Sequence, residues 1–142
     1  MSSACASLAI QEDQRLVEQP RIRILLVDDH KLLREGLTGL LSDELDLQII
    51  GEAQDGFLAV EKARELLPDV ILMDISMPRM NGIEATRAIS RDFPNIRIIG
   101  LSMHEKEDMA AAMRDAGAVN YLPKDTPSAM LIEAIRTAGR GA

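Results

Sequence analysis

Cysteine is almost missing from this chain: Cys5 is the single one in 142 residues. No disulfide framework can form within it, and the cysteine usage is compatible with a reducing cytoplasm. Positive charge is also scarce. Sixteen Lys and Arg against 23 Asp and Glu leave a net charge of −7, which disfavours a nucleic-acid or anionic-membrane surface, because phosphate is gripped by clustered Lys and Arg. Long hydrophobic runs are absent too. Ala4 to Ile10 is mildly apolar, lacks a basic flank, is followed by Glu12 and Asp13 and is far too short to span a bilayer. A soluble cytoplasmic protein with no membrane contact is expected. There is no internal repeat and no low-complexity tract.

With 46% apolar and 27% charged residues, the remainder suits one compact domain. Residues 1–20 have no clear periodicity and read as a flexible N-terminal extension. The domain is expected over 21–139, with 140–142 as a tail or the start of a linker. The stretch Asp69 to Gly82 organises the rest. Val70 to Met73 is an apolar run without polar alternation, the pattern of a strand buried on both faces. It delivers Asp74 into a turn, where Pro78 and Asn81-Gly82 supply the bend before a helix marked by Ile83, Ala85, Ile89 and Phe93.

The same unit recurs along the chain. Ile22 to Val27 reads as a strand ending at Asp28-Asp29-His30, followed by the helical stripe Leu33, Leu37, Leu40 and Leu41. Leu47 to Ala53 reads as the second strand, Gly56 to Leu67 as a helix stopped by Pro68, and Asp69 to Asp74 as the third strand. Ile96 to Leu101 is the fourth strand, ending at Ser102. Met109, Ala112, Met113 and Ala116 mark a helix closed by Gly117. Val119 to Leu122 is a fifth strand running into Pro123-Lys124, and Thr126 reads as the N-cap of a last helix with Pro127 at its first position. Five strands alternating with five helices predict an α/β fold, a doubly wound, flavodoxin-like parallel sheet of order 2-1-3-4-5. Ligands of such sheets bind beyond the carboxyl ends of the strands at the switch point. That rule gathers Asp28, Asp29, Asp74, Ser102 and Lys124 into one pocket.

Three converging carboxylates repel by about 4 kcal/mol per close pair at an effective dielectric near 20. A divalent cation relieves this. The ligands are oxygens and neither histidine has metal-ligand spacing, which favours Mg²⁺ over zinc. Magnesium accepts phosphate oxygens, so the cluster points to phosphoryl transfer, with Asp74 as a nucleophile that forms an acyl phosphate. Lys124 would neutralise phosphoryl charge and Ser102 would offer a hydroxyl to a phosphoryl oxygen.

The motifs Leu26-Val27-Asp28-Asp29-His30, Leu72-Met73-Asp74-Ile75-Ser76-Met77-Pro78-Arg79-Met80-Asn81-Gly82, Gly100-Leu101-Ser102 and Tyr121-Leu122-Pro123-Lys124-Asp125 together resemble the receiver domain of bacterial two-component response regulators. The start Asp28-Asp29-His30-Lys31-Leu32-Leu33-Arg34-Glu35-Gly36-Leu37 is most similar to receivers of the NarL/FixJ type. The resemblance implies a phosphoacceptor switch rather than an enzyme, with at most self-catalysed phosphoryl transfer and autodephosphorylation. Asp74 would be phosphorylated by a sensor histidine kinase. Mg²⁺ would be held by Asp29, Asp74 and the backbone carbonyl of Ser76, with Asp28 acting through water. Ser102 and Tyr121 would form the switch, and His104 stands where the family tunes hydrolysis. Homodimerisation on phosphorylation is expected, as is DNA binding only through a C-terminal helix-turn-helix domain outside this sequence. The alternatives are a stand-alone receiver acting by protein contact and an aspartyl-phosphate phosphohydrolase. The latter would place its nucleophile after the first strand in an Asp-x-Asp pattern. A flavin carrier of this fold would need a glycine- and hydroxyl-rich loop where Asp28-Asp29 stand.

Overall fold

A computed structural model describes residues 20–75, 77, 80–103 and 107–140. The elements in chain order are β1 (Ile22–Val27), α1 (Lys31–Ser42), β2 (Leu47–Ala53), α2 (Gly56–Leu66), β3 (Val70–Asp74), α3 (Gly82–Asp92), β4 (Arg97–Ser102), α4 (Glu107–Ala116), β5 (Asn120–Pro123) and α5 (Ser128–Gly139). The strands form one parallel sheet in the order β2-β1-β3-β4-β5, the expected doubly wound, flavodoxin-like topology. Among the described residues no helix is long and apolar enough to cross a membrane.

Alternation along the strands builds two cores. Leu25, Val27, Ile71, Met73 and Ile98 face one side and pack with Ala59 and Ala63 of α2, Ala85 and Ile89 of α3 and Met113 of α4. Ile24, Leu26, Val70, Leu72 and Ile99 face the other side, against Leu41 of α1 and Leu131, Ile132 and Ile135 of α5. Every residue of β3 is buried, because β3 lies between β1 and β4 and has helices over both faces.

Local chemistry sets the element ends. Asp55 caps α2, its carboxylate accepting from the Leu58 N–H at 2.8 Å. Asn81 caps α3 in a reciprocal box, accepting from Glu84 N–H while the Glu84 side chain accepts from Asn81 N–H. The helix read as running to Leu67 stops at Leu66. Leu67 is left-handed with φ 48°, since Pro68 disfavours a helical residue before it, and the Arg23 guanidinium takes the Leu66 and Leu67 carbonyls at 2.9 Å each. Gly117 ends α4 at φ +120°. Its N–H and that of Ala118 return to Arg114 and Met113 in the pattern of a Schellman cap. Thr126 is not the cap of the last helix. Pro127 holds that position, and the Thr126 hydroxyl donates instead to the Pro123 carbonyl at 2.6 Å.

Candidate functional site

β1 and β3 are neighbours, so their carboxyl ends bring Asp28 and Asp74 to the same edge of the sheet. Each is only 2–3% exposed. Asp28 is held by its N–H to the Ala53 carbonyl at 3.0 Å. Asp74 continues the β3–β4 ladder opposite Leu101. Behind it Gly82 opens α3 with its N–H on the Ile75 carbonyl at 2.9 Å, and a Cβ at this glycine would overlap the Asp74 carbonyl oxygen. Only glycine lets the helix press this closely on the acid's backbone.

Lys124 enters from the far side. Its N–H donates to the Ser102 carbonyl at 2.7 Å, which fixes the residue just past β5 and sends its side chain along the strand ends. The ammonium, 6% exposed, lies 2.8 Å from Asp28 Oδ2 and 3.1 Å from Asp74 Oδ1. Asp29 is more open, with 32% of its side chain exposed. Carboxylate oxygens of Asp28, Asp29 and Asp74 and a ring nitrogen of His30 all lie within 4.8 Å of one another. His30 Nδ1 is 2.9 Å from Asp28 Oδ1 and 3.1 Å from Asp29 Oδ1.

Three carboxylates thus meet one lysine. Burial, and then the charge of Asp28, push the Asp74 carboxyl up from 3.8 to about 6 against the opposing pull of Lys124. Desolvation works against the Lys124 ammonium, but its hydrogen bond to Asp28 and the charges of Asp74 and Asp28 outweigh it and hold its pKa above the usual value. A pocket of oxygen donors with surplus negative charge, partly open at Asp29, fits a hard divalent cation. Asp28, Asp29 and Asp74 are the side chains that would hold it.

Ser102 ends β4 opposite Pro123, one step beyond the Leu101–Asp74 pair. Tyr121 packs its half-buried ring on the core beneath α3 and α4. Its hydroxyl is buried without a hydrogen-bond partner among the described residues. The strand ends therefore bring together Asp28, Asp29, Asp74 and Lys124, with Ser102 beside them. Ser76 and His104 lie outside the described residues. His30, read as lacking metal-ligand spacing, instead spans the acid pair with its ring nitrogen inside the cluster, because its adjacency to the two acids outweighs the missing spacing. A second contact escaped the sequence reading. Arg34 reaches from α1 to the Asp28 carbonyl, and no sequence pattern signals that contact.

The profile of the response regulator receiver domain matches residues 24–136. The transcriptional regulatory protein LiaR of Bacillus subtilis is 45% identical over 120 residues, 84% of this chain and 57% of LiaR. The chain spans just over half the length of such relatives. Among solved structures, the signal receiver domain of the putative response regulator NarL from Mycobacterium tuberculosis superposes with a TM-score of 0.81 at 31% identity, covering 87% of this chain and 99% of that one. A chain of the CheX-CheY-BeF3-Mg+2 complex from Borrelia burgdorferi is a more distant match, with a TM-score of 0.77, 28% identity and coverage of 83% and 89%. With its acids and lysine gathered at the strand ends, the chain belongs to the response regulator receiver domain family, among receivers of the NarL type.

Proposed function

We infer that this chain is the phosphoacceptor of a two-component signalling switch and that Asp74 is the residue phosphorylated. An Asp74 carboxylate oxygen attacks the phosphorus of a phosphohistidine on a sensor histidine kinase. The O–P bond forms as the P–N bond breaks, the electron pair stays on the ring nitrogen, and the histidine leaves as neutral imidazole by taking a proton from solvent. Lys124, already within 3.1 Å of Asp74, draws the phosphoryl charge, and the Ser102 hydroxyl gives it a hydrogen bond. Mg²⁺, held by Asp29, Asp74 and the Ser76 carbonyl with Asp28 acting through water, would offset the charge of the acids and of the incoming phosphoryl oxygens. A structural relative from a complex that includes BeF3 and Mg+2 is in keeping with this chemistry.

The observation that carries the reading is the buried lysine bridging two buried carboxylates that it cannot fully neutralise. Such a site gains most from a cation and a covalent charge change. Ser102 and Tyr121 are the proposed relay. The half-buried Tyr121 ring lies on the core beside Gly100 of β4, so a movement of Ser102 toward the phosphoryl group changes the space open to the ring, and phosphorylation shifts the population toward that arrangement. In the whole protein the output is control of transcription through a C-terminal DNA-binding domain, after the regulators it resembles, with homodimerisation as the step between. The setting is the cytoplasm.

Acetyl phosphate with Mg²⁺ tests the reading. Intact-mass measurement is expected to find one phosphoryl group on the wild type and none on Asp74→Asn, with size exclusion of the labelled sample reading out the dimer. Equal labelling of both proteins would remove Asp74 from its role.

A further inference from the structure

One half-buried cation near the site is held by a backbone carbonyl of the acid-bearing loop and by a glutamate of the sheet. The Arg34 side chain, 15% exposed, rises from the first turn of α1. Its Nη1 donates to the Asp28 carbonyl oxygen, and its Nε donates to Glu52 Oε1 on β2 at 3.1 Å. The Asp28 carbonyl belongs to the peptide unit that joins Asp28 to Asp29. That unit is planar and rigid, so holding its oxygen against the guanidinium sends the Asp29 N–H the opposite way and restrains the orientation of the link between the two acids. The next residue adds to the clamp, since the His30 N–H donates to Asp28 Oδ1 at 2.8 Å. Glu52 pairs with Leu26 across the β1–β2 ladder and anchors the guanidinium through its Nε. The chain Glu52–Arg34–Asp28 carbonyl therefore ties the acid-bearing loop to both the sheet and α1.

We propose that Arg34 is a positioning residue for the divalent-cation site, setting Mg²⁺ affinity by locking the peptide between Asp28 and Asp29, with Glu52 orienting the guanidinium. The proposal rests on the reading of the acid cluster as a Mg²⁺ site. Magnesium demands near-ideal ligand geometry, so a loosened loop weakens binding even with every carboxylate in place. Groups that orient metal ligands contribute about 10–100-fold in affinity.

The test is calorimetric Mg²⁺ titration of the wild type, Arg34→Ala, Arg34→Lys and Glu52→Gln, together with backbone amide spectra of the metal-free proteins. Arg34→Ala is expected to raise the Kd for Mg²⁺ about tenfold or more and to shift or broaden the Asp28, Asp29 and His30 cross-peaks. Arg34→Lys recovers part of the affinity, because one donor still reaches the carbonyl but no fork holds Glu52. Glu52→Gln has the smallest effect. The half-saturating Mg²⁺ for labelling by acetyl phosphate rises in step with Kd. If Arg34→Ala and Arg34→Lys bind Mg²⁺ within about twofold of wild type while the wild type binds it normally, the positioning role is overturned. Should Arg34→Ala not fold, Arg34→Lys decides alone. A wild type that binds Mg²⁺ but takes no phosphoryl group breaks the phosphoacceptor reading and leaves this one standing. A wild type that binds no Mg²⁺ breaks both.

Discussion

Two ionic clusters in this molecule are each built from acidic and basic side chains and come out opposite. At the carboxyl end of the sheet, the buried Asp28 and Asp74 share the ammonium of Lys124, with Asp29 close beside them. On the opposite edge, Arg136 of α5 holds Asp46 through Nε at 2.8 Å and Nη2 at 3.0 Å. It also reaches Glu44 at 2.9 Å, and Arg140 approaches Asp46 at 3.4 Å. There, two guanidinium groups meet two carboxylates in partial contact with solvent. The outcome shows in the acids. Arg136 draws the Asp46 carboxyl below its usual value, whereas burial and Asp28 push Asp74 well above its own. The outer cluster is complete as it stands and ties α5 to the α1–β2 turn. The inner one carries surplus charge, which makes it the place where a cation and a phosphoryl group have something to offset.

Breaking the inner cluster has the largest effect. Lys124→Met leaves two buried carboxylates without their shared cation and costs about 3–5 kcal/mol near pH 7, read by urea denaturation. The loss shrinks as pH falls and Asp74 takes up a proton. Relieving the cluster has the next largest effect, with the opposite sign. The folded pKa of Asp74, about 6, exceeds the 3.8 it has when unperturbed, so the folded state binds the proton more tightly. Its contribution is fully present below about pH 4, and stability falls as pH rises from about 4 to about 6. Asp74→Asn removes that slope and makes the metal-free protein more stable near neutrality, on the order of 2–3 kcal/mol, visible in wild-type and variant melts across the window. The outer cluster gives the smallest change. Asp46→Asn costs under about 1 kcal/mol, because solvent and salt screen the pair. Its sign runs the other way: a depressed pKa contributes in full above the usual value of 3.8, and the contribution fades as pH falls from there through the depressed value. Melts at two salt concentrations check this.

The contrast between the clusters was half legible in the sequence. Strands that end in acids, such as Val70–Asp74, announce themselves because apolar runs without alternation have few other solutions. With short connections they dictate the strand order and put Asp28, Asp74 and Lys124 at one edge. Element ends were less legible. The fourth and fifth strands lie one residue later than their apolar runs suggest, since Ser102 pairs with Pro123 and backbone pairing, unlike hydropathy, extends over polar residues. Asn81 with Glu84 three residues on is a cap signature plain in the sequence, yet there it registers only as turn chemistry. Thr126 carries the chemistry of a cap and spends its hydroxyl on Pro123, because the turn after β5 offers that carbonyl first. The Arg34 contact to the Asp28 carbonyl and the Arg136–Asp46 pair, 90 residues apart, depend on tertiary distances that no local pattern encodes.

Titrating Mg²⁺ into the wild type and Asp74→Asn near pH 7 while following thermal stability probes the surplus charge most directly. Without metal the variant should melt at the higher temperature, and added Mg²⁺ should raise the wild type far more than the variant until the gap closes or reverses. A metal-free wild type that melts above Asp74→Asn, with both proteins indifferent to Mg²⁺, would contradict a carboxylate cluster held short of neutrality.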